Sequence, residues 1–228
     1  MEIQKELGKN TLLKAIQFAK TYRAPLIVFS VILGAVLIDY GFRSSGQDFY
    51  AKGLTAMRQQ KYDEAVKLFS RALRQAPADP ASRFGLGWAY HSKGWADEAL
   101  KQYDMAAKSA AEPLYLSYFN SGVLLHQKRK LDEAATAYQN AVAVSPNASG
   151  AVFNLGFVYS DRGQNELALN QFLKTIKLEP KNVNAHYNAG LMAERLGRKE
   201  DAKKLYQSAL GIDPQNAGSR DRLKALGG

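Results

Sequence analysis

The chain contains no cysteine. That excludes disulfide scaffolds, thiolate zinc sites, iron–sulfur clusters, CxxCH haem attachment and cysteine nucleophiles, and leaves the redox compartment open. Histidine is scarce too: His91, His126 and His186 are the three in 228 residues. His91 and His126 occupy equivalent places 35 residues apart, and no paired carboxylate or third ligand shares their period. They read as structural residues, not metal ligands. The GxxxxGKS/T, HExxH and GxSxG motifs are missing, as is GxGxxG in a nucleotide-binding context. The expectation is a non-enzyme with no cofactor, no metal and no small-molecule substrate. Acidic residues are outnumbered, 21 against 31 basic, for a net charge of +10. The excess is spread over many segments without a base-stacking platform, which argues against nucleic acid and for acidic partners or anionic lipid.

A mean hydropathy of −0.33 suggests a soluble protein, but it averages unlike segments. From Ala24 to Ile38 fifteen residues, APLIVFSVILGAVLI, carry no charge. Taken from Tyr22 to Tyr40, a helix there would be ~29 Å long, close to the ~30 Å hydrocarbon core of a bilayer. Arg23 and Asp39 sit at its ends, with Tyr22, Tyr40 and Phe42 placed as interfacial aromatics. A cleaved signal peptide would need a 23-residue n-region, and no A-x-A site follows the run. Residues 22–40 are therefore expected to be an uncleaved transmembrane anchor in contact with lipid. Five Lys or Arg in residues 4–23 against three in 39–58 favour a cytoplasmic N-terminus. The remainder would then lie outside the cytoplasm, in the periplasm of a Gram-negative cell. Residues 1–21 space Ile3, Leu7, Leu12 and Ile16 along one amphipathic juxtamembrane helix, and residues 41–47 read as a linker.

The rest of the chain is periodic. Pro77, Pro146, Pro180 and Pro214 end similar blocks, the last three 34 residues apart. One block runs Val152-x2-Leu155-Gly156-x2-Tyr159, then Ala168-x3-Phe172, then Pro180. The others repeat it with Ala65-x3-Phe69, Ala99-x3-Tyr103, Ala134-x3-Tyr138 and Ala202-x3-Tyr206. Each block holds two helical patterns. Gly94, Gly163 and Gly197 mark the turn between them, and acidic pairs such as Asp63-Glu64, Asp97-Glu98 and Asp132-Glu133 open the second helix, where carboxylates favour the helix dipole. Small residues at the Gly and Ala positions let helices approach closely. One such hairpin cannot bury its apolar face alone, whereas five stacked hairpins can.

These blocks resemble the tetratricopeptide repeat, W-x2-LG-x2-Y…A-x3-F…P. The repeats fall at 46–79, 80–113, 115–148, 149–182 and 183–216, with residues 217–228 as a capping helix and tail. The resemblance implies an all-α right-handed superhelix of five helix-turn-helix repeats, preceded here by the transmembrane helix. It also implies a concave groove lined by the first helix of each repeat. Carried onto this chain, groove position 5 is Tyr50, Phe84, Phe119, Phe153 and Tyr187. Position 6 is Asn120, Asn154 and Asn188 in the last three repeats, and position 9 includes Trp88 and Phe157. An asparagine offers donor and acceptor together and can pair with an extended peptide backbone. The row is similar to the asparagine ladder of O-linked N-acetylglucosamine transferase. A chaperone-tail clamp does not fit, because Tyr50, Leu54, Phe84 and Trp88 stand where its Lys and Asn residues would be.

The expected function is a membrane-anchored scaffold whose groove, in repeats 2–5, binds a protein or peptide partner. That role suits assembly or biogenesis of a membrane complex and binding of its subunits. A constitutive subunit of such a complex, or an organelle import receptor with cytosolic repeats, are the alternatives. Trp95 in the second repeat's turn reads either as a partner contact or as packed on Tyr62. Lys128-Arg129-Lys130 reads as a solvated turn.

Overall fold

The computed structural model describes residues 46–109 and 114–227. Eleven helices occupy them. The first unit, up to Trp95, holds α1 (46–58), α2 (Tyr62–Gln75) and α3 (Pro80–Ser92). The second, from Ala96, holds α4 (Ala96–Ser109), α5 (Tyr115–Gln127), α6 (Leu131–Val144) and α7 (Ser149–Asp161). It continues with α8 (Asn165–Leu178), α9 (Val183–Arg195), α10 (Lys199–Ile212) and α11 (Ala217–Ala225). In the second unit each helix from α5 to α11 packs on the next in chain order. The juxtamembrane helix, the apolar span and most of the linker expected at 1–45 lie outside the described residues. Gly46 and Gln47, read above as linker, form the first turn of α1. Among the described residues no helix is long and apolar enough to cross a membrane.

One contact repeats through both units. The second helix of each repeat carries a buried ring, Phe69, Tyr103, Tyr138, Phe172 or Tyr206, one turn after a fully buried alanine. Four of these rings lie flat against a glycine of the preceding helix. A methyl group on Gly156 would stand 2.7 Å from Phe172 Cε1, and Gly53, Gly122 and Gly190 meet Phe69, Tyr138 and Tyr206 in the same way. Glycine inside a helix costs ~1 kcal/mol relative to alanine. Burying a large aromatic side chain returns ~1.5–3 kcal/mol, so the close approach wins.

Turns and caps are equally regular. The residue that reverses the chain inside each repeat is left-handed: Gly94, Gly163 and Gly197 have φ of 78°, 71° and 75°. Gln60 and Arg129 adopt the same conformation at the same offset, φ 58° and 59°, although neither residue type announces it. Asp79, Asn182 and Asn216 each accept a hydrogen bond from the backbone N–H three residues on, at 2.8, 3.0 and 2.9 Å. Ala148 holds that place before α7 without a side-chain cap.

The acidic residues that open the second helices do more than answer the helix dipole. The basic residue after one first helix reaches the carboxylate that opens the preceding second helix. Lys93 pairs with Asp63 at 2.6 Å, Lys128 with Asp97, Arg162 with Asp132 at 2.7 Å, and Arg198 binds Glu166 through two bonds of 2.8 and 3.2 Å. These pairs are solvated and screened, so they set register more than stability. Hydrogen bonds from Lys93 and Lys128 hold the Asp63 and Asp97 carboxyls below the ordinary carboxylate range.

Gly156→Ala should lower stability by ~1–3 kcal/mol in urea unfolding, because the ring must shift. Gly211→Ala, on a helix with nothing within 4 Å of the new methyl, should instead be neutral or stabilise by up to ~1 kcal/mol. The depressed folded values of Asp63 and Asp97 make their contribution complete above the unfolded value of ~3.9 and lost as pH falls through the lower folded value. A chain with Asp63→Asn and Asp97→Asn should therefore lose less Tm than the parent between about pH 5 and about pH 2, by a small margin.

Candidate functional site

The first helices of repeats 3 to 5 in the second unit, α5, α7 and α9, carry the residues expected to line the groove. Phe119, Phe153 and Tyr187 are half-buried. Each leans on the buried ring of its own repeat, at centroid distances of 5.9 Å to Tyr138, 5.5 Å to Phe172 and 5.9 Å to Tyr206. Tyr50 does the same to Phe69 in the first unit, at 5.8 Å. Position 5 therefore serves packing and surface together. Phe157 completes an edge-to-face triad, 4.8 Å from Phe153 and 5.4 Å from Phe172. Tyr115 stacks on Phe119 at 5.7 Å, and Val123 and Leu191 pack against the same core. Leu116 on α5 stays 50% exposed. In the first unit Phe84 is half-buried and Trp88 is 40% exposed.

Asn120, Asn154 and Asn188 are all half-buried, but they are not equivalent. The Asn154 amide bonds to the Tyr138 hydroxyl across the repeat junction. Burial pushes that phenol up, and the Asn154 bond opposes the shift. Asn188 turns back to its own helix and donates from Nδ2 to the Asn184 carbonyl at 2.7 Å. One bond uses only part of an amide's capacity, which includes two donors and an acceptor oxygen. In the second repeat the same place is Gly85, where a Cβ would fall 2.6 Å from Phe69.

Beside the rings runs a row of polar links that the sequence did not reveal. His126 Nε2 lies 3.0 Å from Asp161 Oδ2, and Arg129 binds the same carboxylate. This corrects the expectation that no carboxylate accompanies the histidines: Asp161 comes from the last turn of α7, the first helix of the next repeat, one place out of the histidine register. Hydrogen bonds from His126 and then Arg129 hold the Asp161 carboxyl below its usual value. The next link is Arg195 Nη1 donating to Ser160 Oγ at 3.0 Å. Glu194 accepts from the Tyr206 hydroxyl at 2.9 Å and pairs with Arg222 at 3.3 Å. Its carboxylate adds to burial in raising the Tyr206 phenol.

The other sequence candidates fall into structural roles. His186 is buried with Nε2 3.0 Å from the Pro180 carbonyl, as Arg220 Nη2 is 2.7 Å from that of Pro214. Burial lowers the His91 imidazole value. Among the described residues no group of three His, Asp or Glu could hold a metal. Trp95, 47% exposed, stacks on Tyr90 of its own repeat at 5.7 Å, with Lys93 Nζ 3.5 Å over the ring, instead of packing on Tyr62. The turn Lys128-Arg129-Lys130 is a set of ion pairs, to Asp97, Asp161 and Glu133.

The family model of the tetratricopeptide repeat matches residues 50–113 and 153–217, and a second model of that repeat matches 115–148. Superkiller protein 3 of Saccharomyces cerevisiae is 30% identical over 79 residues, 35% of this chain and 6% of that protein. Hsp70-Hsp90 organizing protein 2 of Arabidopsis thaliana is 26% identical over 106 residues, 46% of this chain and 17% of that protein. The chain thus spans a small fraction of either relative. Among solved structures, YrrB, a TPR protein with an unusual peptide-binding site, superposes with TM-score 0.68 at 22% identity, over 77% of this chain and 90% of its own. MamA gives 0.69 at 22%, over 76% and 94%, and pilF of Pseudomonas aeruginosa 0.65 at 18%, over 82% and 90%. At such identities the likeness is one of fold. The chain belongs to the tetratricopeptide repeat family, whose models match well over half of its residues.

Proposed function

We propose that this chain is a non-enzymatic scaffold that binds a polypeptide segment along α5, α7 and α9. The observation that carries the reading is the coincidence, at one period, of a half-buried ring and a half-buried asparagine on each of these helices. Rings supply apolar area to alternate side chains, and amides pair with main chain without demanding a sequence. A scaffold for protein partners is also consistent with YrrB, whose peptide-binding site is on the same fold. Residues 22–40 would hold the array at a membrane, with the N-terminus cytoplasmic and the repeats in the periplasm. Confinement there raises the effective concentration of membrane-bound partners, which suits assembly or biogenesis of a membrane protein complex.

Peptides selected on the full-length chain from a displayed random library test the groove. They should lose at least about tenfold in affinity, ~1.4 kcal/mol, on a chain with Asn120, Asn154 and Asn188 all changed to Ala. Unchanged affinity with an intact helical circular dichroism spectrum would reject the groove reading. The anchor is tested by fractionation: the full chain should sediment with membranes, and a chain lacking residues 1–40 should stay in the soluble fraction.

A further inference from the structure

Charge along this surface is unevenly compensated. Asp161 is neutralised by Arg129 and bonded to His126. Glu194 is neutralised by Arg222 and bonded to Tyr206. Arg195 occupies the same place on α9 as Asp161 does on α7, and reaches across the junction in the same way. Its partner, however, is the neutral hydroxyl of Ser160. Among the described residues no carboxylate forms an ion pair with Arg195, and its side chain is exposed. The neighbouring carboxylate, Glu194, is already committed twice. The other side chains of the surface, Leu116, Phe119, Val123, Phe153, Phe157, Tyr187 and the three asparagines, carry no charge.

We propose that Arg195 anchors a side-chain carboxylate of the bound segment, so that the partner is an uncharged apolar stretch ending in an Asp or Glu. This rests on the groove reading above and names the chemistry of its ligand. Electrostatic complementarity supports it: an exposed guanidinium without a counter-charge, beside surface whose other charges are paired, favours one anion at that place. A planar guanidinium still has free N–H groups after its bond to Ser160, enough for a bidentate grip on a carboxylate. A chain terminus fits less well. Tyr50, Leu54, Phe84 and Trp88 stand where the lysines and asparagines that clamp a terminal carboxylate would be, and one cation suits one side-chain carboxylate.

The test uses the full-length chain and three fluorescein-labelled dodecapeptides of Ala, Leu, Phe, Gly and Ser. One carries a single Glu near its amidated C-terminus, one has Gln in its place, and one has that Gln with a free C-terminal carboxylate. Fluorescence anisotropy should show the Glu peptide binding about fivefold to tenfold tighter than its Gln counterpart, a preference that shrinks in high salt. Arg195→Gln should abolish the preference for the Glu peptide over the Gln peptide. Ser160→Ala, which keeps the charge, should retain the preference. Equal binding of the Glu and Gln peptides, or a preference that survives in Arg195→Gln, overturns the assignment alone. A preference only for the free C-terminus overturns the side-chain source. A chain that binds none of the peptides overturns the groove reading and the assignment with it.

Discussion

A ring lying on a glycine is the contact on which the structure depends. Phe69, Tyr138, Phe172 and Tyr206 can be buried only because the residue beneath each has no Cβ. That approach fixes how near the two helices of a repeat come. The fully buried alanine one turn before each ring does the same for the adjoining backbone. Caps, left-handed turns and solvated ion pairs then align what the rings have already brought together. Their energies are smaller, and their regularity follows from the spacing that the rings impose.

The candidate binding surface is a by-product of the same spacing. Position 5 rings are displayed because each leans on a core ring from one side, leaving its other side half open. Position 6 follows on the next residue, so the amides come to the surface beside the rings. The asparagines differ in what they bond. Asn154 is bonded to the Tyr138 hydroxyl, whereas Asn188 donates to the Asn184 carbonyl of its own helix.

Surface charge shows how repetition and variation divide the work. Links between adjacent repeats recur at fixed offsets, yet the residues that fill them change. The pair His126–Asp161 becomes Ser160–Arg195 one repeat later, and the sign of the charge at that place is reversed. The frame is constant, so such substitutions change the charge of the surface without disturbing packing.

The order of helices, the five-fold repeat and the buried register were legible in the sequence, because local spacing alone generates them. Alanines, rings and glycines recur at offsets set by the helix period, and a hairpin of that pattern has one way to bury its apolar face. Gly94, Gly163 and Gly197 likewise declare their turns, since φ near 75° suits glycine. Tertiary structure alone decided the rest. Gln60 and Arg129 take the same left-handed turn because the flanking helices require it. Asp161 meets His126, and Lys128 meets Asp97, through stacking of residues 35 and 31 apart, beyond the reach of any local pattern. The stacking settled which charges are matched, and matching is a property of neighbours in space.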